Sequence, residues 1–338
     1  MTTVDPEQAS KDLIEAAKTG NLSKVMSLLS VPGVNVNIHD NTGSTPLIWA
    51  EENRHTEIMK ALLAVPGIEV NAQNNYGMTV LLYAAYYGHT ENVKILLAVP
   101  GIGINLQNND GNTALILAVF KGYIDIVRLL LAVPGIDVNT WSDSRKPALM
   151  LAVDKGNIEI VKALLQNPTL DINMRFDNDK DSYTALIYAI IKHHTDIVKA
   201  LVADPRTNIH LTYISKQTAL MFAVSEGNIQ MVEALLKAGA NPNIKDLYGL
   251  TALIMPVAQR NPAMIHLLLY YGAKVPNPLP IQSVMNQSRR NTARAFIVGN
   301  SADLPRNVSR EIASFMNIPR FRPRPQKTKK NRKTRRRR

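Results

Sequence analysis

The chain has 338 residues, of which 46% are hydrophobic and only 6% aromatic, with 39 Lys and Arg against 27 Asp and Glu and no cysteine. Disulfides and thiolate metal sites are therefore excluded, and no apolar run reaches the ~18–20 residues that cross a bilayer. The stretch from Met1 to Asp12 is polar and acidic with no apolar signal core, so we expect a soluble intracellular chain, in cytoplasm or nucleus, that the usual signal does not export.

The net charge of +12 is local. Eight Arg and four Lys, with no acidic residue, lie between Arg320 and Arg338, which leaves the preceding part of the chain formally neutral. That excludes a generally basic nucleic-acid surface along the body of the protein.

A repeated phrase organises that body. Leu62-Leu63-Ala64-Val65-Pro66-Gly67-Ile68-Glu69-Val70-Asn71 returns almost verbatim as Leu96 to Asn105 and as Leu130 to Asn139. A second marker holds the same phase: segments of Thr-Ala-Leu type begin at Thr45, Thr79, Thr113, Pro147, Thr184, Thr218 and Thr251, spaced 34, 34, 34, 37, 34 and 33 residues apart. Such periodicity marks a solenoid whose units cannot bury their apolar faces alone. Leu13 to Asn37, with Ala16, Ala17, Gly20, Leu28 and Leu29 in place, reads as a degenerate first unit. About eight units then fill residues 1–275.

The unit from Asn75 to Asn108 shows the internal design. Thr79 opens a helix over Val80 to Tyr87, with Leu81, Ala84 and Ala85 on one face. Gly88 ends it as a left-handed glycine. A second helix runs from about Thr90 to Ala98 with Val93, Leu96 and Leu97 inward. The chain then extends through Val99-Pro100-Gly101 to Asn105, and Asn108-Asn109-Asp110-Gly111 supplies turn chemistry before Thr113. Each unit is thus predicted as helix, turn, helix and outward hairpin.

The tetratricopeptide repeat shares the period but has no extended Val-x-Asn segment and no Asn/Asp-Gly turn. The pattern instead resembles the ankyrin repeat, most closely in Gly43-Ser44-Thr45-Pro46-Leu47 and in Ala238-Gly239-Ala240-Asn241-Pro242-Asn243, over roughly residues 10–275. The resemblance implies an α-solenoid: a stack of helix-turn-helix units with short β-hairpin fingers. It further implies a non-catalytic protein–protein interaction scaffold, monomeric, needing no cofactor. Several departures matter. The family's His after Leu is replaced by Ile48, Leu82, Ile116, Met150, Ile187, Met221 and Ile254, which trades hydrogen bonds for apolar packing. Pro256 stands where other units carry Ala, and an interior helical proline costs ~3 kcal/mol, so a distorted final unit is expected. The three extra residues between Pro147 and Thr184 fall near Asp177–Asp181 and should lengthen one hairpin.

No catalytic constellation or metal site is evident. His55, His89 and His194 each follow the first helix of a unit, a periodic placement that the family uses structurally. Asp177-Asn178-Asp179-Lys180-Asp181 alternates like an EF-hand opening but lacks the Gly at the sixth position and has Tyr188 at the twelfth. An extended hairpin tip accounts for it better.

Binding is the more productive reading. In an ankyrin-like stack the fingers and the outer faces of the first helices line one concave surface. One register there reads Trp49, Tyr83, Leu117, Leu151, Tyr188, Phe222, Met255, four of the seven aromatic. Four residues on, another reads Asn53, Tyr87, Lys121, Lys155, Lys192, Glu226, Gln259. An aromatic strip beside three lysines suits a peptide or helix with apolar and acidic groups. The plainer alternative is half-buried packing for the first register and a solvated face for the second.

Beyond Ala273 the repeat ends, and Pro276, Pro278 and Pro280 break the stack. Residues 276–319 are predicted as a helical cap. Within it Leu304 and Pro305, followed by Val308, Ile312 and Phe315 on one stripe, resemble the opening of an F-box, which implies contact with a Skp1-type ubiquitin-ligase adaptor. The plainer alternative is a helix that closes the array. Residues 320–338 form a tail too polar to fold and expected to be disordered. In it Lys327, Lys329, Lys330, Arg332, Lys333, Arg335, Arg336, Arg337 and Arg338 suit an import receptor, nucleic acid or another polyanion. Val-Pro-Gly repeats, a Leu-Pro helix and a basic terminus together are similar in style to ankyrin proteins of giant DNA viruses, whose setting would be a host cell.

Overall fold

Among the described residues most helices have only six to nine residues, too few to persist alone in water, so each owes its existence to neighbours. The computed structural model describes residues 5–274, apart from Ser144, Asp179, Lys180, Ile214 and Arg260. The chain divides into two compact units, one reaching to Asn208 and one starting at Ile209.

In the first unit six helix pairs follow one another: α1 (Pro6–Thr19) and α2 (Leu22–Leu29), α3 (Pro46–Glu52) and α4 (Thr56–Leu63), α5 (Val80–Tyr87) and α6 (Thr90–Leu97), α7 (Ala114–Lys121) and α8 (Ile124–Leu131), α9 (Ala148–Asp154) and α10 (Ile158–Leu165), and, after strands β1 (Arg175–Asn178) and β2 (Asp181–Thr184), α11 (Ala185–Ile191) and α12 (Thr195–Ala203). First helices pack on first helices, α1 on α3, α3 on α5, α5 on α7, α7 on α9 and α9 on α11; second helices form a parallel row, with α6 on α8, α8 on α10 and α10 on α12. Ala50, Ala84, Ala118, Ala152 and Ala189 are wholly buried where first helices meet, their small side chains permitting close approach. Leu62, Leu96, Leu130, Leu164 and Leu201 are equally buried on the second helices, each worth ~1.5–3 kcal/mol of burial.

Local chemistry sets the boundaries. The hydroxyls of Thr45, Thr79, Thr113 and Thr184 accept hydrogen bonds from the backbone N–H three residues on, at 3.2–3.4 Å, the usual N-cap arrangement. Pro147 takes that place at α9 without a side-chain cap. Gly88 closes α5 at φ 79°, and a Cβ there would fall 2.7 Å from Cζ of Tyr123. The same close approach recurs where His55 covers Gly20 and His194 covers Gly156. These histidines pack on helix ends, a structural placement.

The repeated Asn joins consecutive repeats. Asn71 donates to the Gly101 carbonyl at 2.8 Å and accepts from the N–H of Gly103 at 2.7 Å. Asn37, Asn105, Asn139 and Asn173 make the equivalent pair of bonds.

The fingers differ in form from one another. A ladder of antiparallel pairs, from Arg175 with Thr184 to Asn178 with Asp181, forms where the three extra residues lengthen both arms. The first three fingers are five-residue loops in which one Asx side chain, Asp40, Asn74 or Asn108, holds two backbone N–H groups. Asn74 Oδ1 accepts from Tyr76 and Met78, and Asn108 Oδ1 from Asp110 and Asn112. Their arms are too short for a ladder. Consecutive tips are linked instead, Asn75 N–H to Thr42 O and Asn109 N–H to Tyr76 O.

The first repeat is less degenerate at its start than expected. Asp5 caps a 14-residue α1 with Pro6 in the first turn, which suits both residues.

The second unit holds α13 (Ala219–Ser225), α14 (Ile229–Lys237), α15 (Ile254–Gln259) and α16 (Pro262–Tyr270). The distortion expected at Pro256 takes a specific form. Helix α15 begins at Ile254, so Pro256 falls in its first turn, where the missing N–H is unpaired in any helix. Thr251 pays for this: its hydroxyl, unlike that of Thr218, is buried with no hydrogen-bond partner.

Candidate functional site

The predicted aromatic register is half-buried, and its polar tips are held. Trp49 Nε1 donates to Asp40 Oδ2 at 2.9 Å, with Lys18 Nζ 4.4 Å from the ring centre. The Tyr83 hydroxyl accepts from Asn74 Nδ2 at 3.0 Å, and the ring stacks on Tyr87 at 6.0 Å. Leu117 and Leu151 are buried. Tyr188 donates to Asp154 Oδ1 at 2.5 Å. Phe222, in the second unit, meets Tyr213 edge-on at 5.7 Å, and Met255 is exposed.

The second register faces outward. Tyr87 is 43% exposed and its hydroxyl lies 3.4 Å from Glu52 Oε1. Lys121 Nζ sits 3.9 Å from the centre of the Tyr86 ring, and Lys155 Nζ 4.8 Å from that of Phe120. These are cation–π distances. Lys192 differs, because Asp154 Oδ1 lies 3.1 Å away.

Between fingers and helices, from the third repeat to the fifth, lies a cavity of about 590 Å³. Tyr83, Tyr86, Leu117, Phe120 and Leu151 give it apolar walls, Asn108, Asn109, Asn112 and Ser142 a polar finger side, and Asp110, Lys146, Asp154 and Lys155 its charges. Of the sequence-predicted residues, Tyr83 and Lys155 line the cavity, and Lys121 reaches its Tyr86 wall. Trp49, Tyr87, Tyr188, Lys192 and Phe222 do not line it.

Tyr86, Phe120 and Asp154 were missed in the sequence. One register would have revealed them: Glu52, Tyr86, Phe120, Asp154, Ile191, each directly preceding the lysine register. Phe120 is 47% exposed. Burial pushes the Asp154 carboxyl up, but hydrogen bonds from Tyr188, Lys146 and Lys192 outweigh it and hold the group well below the usual carboxylate range. Asp154 is thus a fixed anion that pairs with two neighbouring lysines at once, a cluster left with one net positive charge.

A second unexpected cluster lies inside. Glu51 is wholly buried. Its Oε1 is 2.7 Å from His89 Nδ1 and its Oε2 2.5 Å from Asn92 Nδ2, while Asn92 Oδ1 accepts from Thr56 Oγ1 at 2.9 Å. Burial drives Glu51 up to about 8. His89 is pushed down, by burial first and the Arg54 charge second. Both directions favour uncharged forms, so we assign a protonated Oε1 donating to a neutral imidazole rather than an ion pair.

The candidates Leu304, Pro305, Val308, Ile312 and Phe315, and the basic residues from Lys327 to Arg338, lie outside the described residues. Among the described residues no helix is long and apolar enough to cross a membrane.

Comparison with known proteins agrees with this architecture. A family model described as ankyrin repeats (three copies) matches residues 13–108, 66–142, 96–175, 141–212 and 205–278, overlapping stretches that run from residue 13 to 278. An ankyrin repeat-containing protein of Treponema pallidum (strain Nichols) is 35% identical over 79 residues, which cover 23% of this chain and 25% of that protein. The chain therefore spans about a quarter of the relative it matches. Helix pairs of this design, with the family match along most of the sequence, place the chain in the ankyrin-repeat family.

Proposed function

We propose that this chain is a non-catalytic scaffold, acting as a monomer, that docks a protein partner in the cavity of the third to fifth repeats and along the strip beside it. One observation carries the reading. Lys121 and Lys155 rest on the half-buried Tyr86 ring and the exposed Phe120 ring at the edge of an apolar cavity, and among the described residues no carboxylate lies within ion-pair reach of either. Aromatic anchors ringed by charge are the usual composition of a binding hot spot, and the partner they suit presents an apolar side chain flanked by acidic groups.

The test compares the full chain with Phe120→Ala and with Lys121→Glu/Lys155→Glu in affinity capture from cell extract followed by mass spectrometry. A partner held by the parent should be lost from both variants. An identical captured set from all three, with unchanged circular dichroism, refutes the site.

Two further readings rest on the sequence beyond the array. The stripe of Leu304, Val308, Ile312 and Phe315 supports an adaptor role that delivers the partner to a ubiquitin ligase. Leu304→Ala/Ile312→Ala should then abolish co-precipitation with the ligase's adaptor subunit. The twelve unopposed charges of residues 320–338 support contact with nucleic acid or an import receptor in the cytoplasm or nucleus. Binding to nucleic acid should fall steeply with salt and vanish when the tail is deleted. The stylistic similarity to giant-virus ankyrin proteins favours a host cell as the setting.

A further inference from the structure

The cavity has two unlike rims. At the C-terminal ends of α7 and α9, Lys121 and Lys155 stand one repeat apart, without carboxylate partners among the described residues. On the finger side Asp110 is exposed, and Lys146 is already held by Asp154 at 3.0 Å. Asp154 adds no net repulsion, since Lys146 and Lys192 both contact it. The helix rim therefore presents two positive charges at a spacing set by helix packing, with an apolar recess alongside.

That spacing selects a ligand geometry. Packed helices lie about 8–10 Å apart, and α7 packs directly on α9. In a flat strand, side chains three residues apart point to opposite faces. In a polyproline-type extended chain they return to the same face after about 9 Å. Such a chain also turns its intervening residues about 120° away, which points one of them into the recess while its neighbour faces water.

We infer, resting on the docking function proposed above, that the occupant is an extended polyproline-type segment with two carboxylates three residues apart, engaging Lys121 and Lys155, and an aromatic or large aliphatic residue between them that enters the cavity. Phe120 and Tyr86 form the wall that this residue meets, and the same two rings hold the lysines in place.

The test uses the full chain and a fluorescein-labelled, proline-containing decapeptide with two glutamates three residues apart and a phenylalanine directly after the first. Companion peptides place the glutamates two or seven residues apart, replace both by glutamine, or replace phenylalanine by glycine. The three-residue spacing should bind most tightly. Losing the phenylalanine should weaken binding about tenfold or more, and Lys121→Gln or Lys155→Gln should each weaken it about threefold. A protein with one lysine removed should become indifferent to the loss of one glutamate but stay sensitive to the other. Tightest binding at the seven-residue spacing, which fits a helix, overturns the inference, as does affinity independent of spacing. Absence of binding by every peptide overturns it too. If capture of a partner by the parent chain then remains sensitive to Phe120→Ala, the docking function survives; if that sensitivity is also missing, both fall.

Discussion

Replacing Glu51 by alanine tests the reading of the buried polar cluster. The carboxyl is wholly buried and meets His89 and Asn92 at 2.7 and 2.5 Å, and Asn92 is itself only 2% exposed. Removing it strands the Asn92 amide, at a cost of ~1–3 kcal/mol, and leaves a cavity that adds to the loss. A destabilisation of about 2–4 kcal/mol is expected. The next interfaces show an alternative solution: Val119 and Ile160 occupy the positions of Glu51 and Asn92 two repeats on, both buried. Glu51→Val/Asn92→Ile should therefore recover parental stability or exceed it, because packed apolar residues often outperform buried polar groups. Urea unfolding of the full chain followed by circular dichroism measures this. A single variant as stable as the parent, or a double variant no better than the single, refutes the argument.

The same cluster makes stability depend on pH with a definite sign. For Glu51, raised to about 8 from an ordinary 4.5, the folded state holds the extra proton, so its contribution is complete below 4.5 and is lost as pH rises through 8. His89 acts oppositely, its folded value lying below 6.5, so its effect on stability rises with pH and is over above 6.5. Stability should thus fall between about pH 6.5 and 8, and Glu51→Gln, which keeps both hydrogen bonds without a titrating group, should flatten that window in thermal melts.

Other outcomes follow from single contacts. Asn105→Ala removes bonds to the Gly135 carbonyl and the Asp137 N–H, so urea unfolding should show a loss of about 1–2 kcal/mol, at ~0.5–1 for each exposed bond. Lys216 stands at φ 58° where other fingers carry Gly43, Gly77 and Gly111; Lys216→Gly should stabilise by up to about 1 kcal/mol in the same assay. Asp154, with its folded value below the ordinary 3.8, contributes stability that is present above 3.8 and lost as the pH falls further. Asp154→Asn should lower stability at neutral pH and blunt acid unfolding below pH 4.

What could be read directly from the residues is what short-range chemistry decides. Threonine caps, left-handed glycines and Val-Pro-Gly turns act within a few positions, so they recur with the repeat and announce each helix pair. The lengthened finger at Arg175–Thr184 and the disturbance at Pro256 were legible for the same reason, since each breaks the period. The halves of the candidate site fared unequally. The lysine register showed itself as a repeated surface position, but the cavity walls Tyr86 and Phe120 sit one residue earlier, on a face that helix rotation alone brings to the recess. Glu51 meets Asn92 across 41 residues and Tyr188 meets Asp154 across 34. Such partners stand side by side only once repeats have stacked, because side chains from different repeats meet through packing rather than through the chain. The sequence by itself thus determined the period, the caps and the family; tertiary stacking decided which charges are neutralised, which are left open and where the cavity lies.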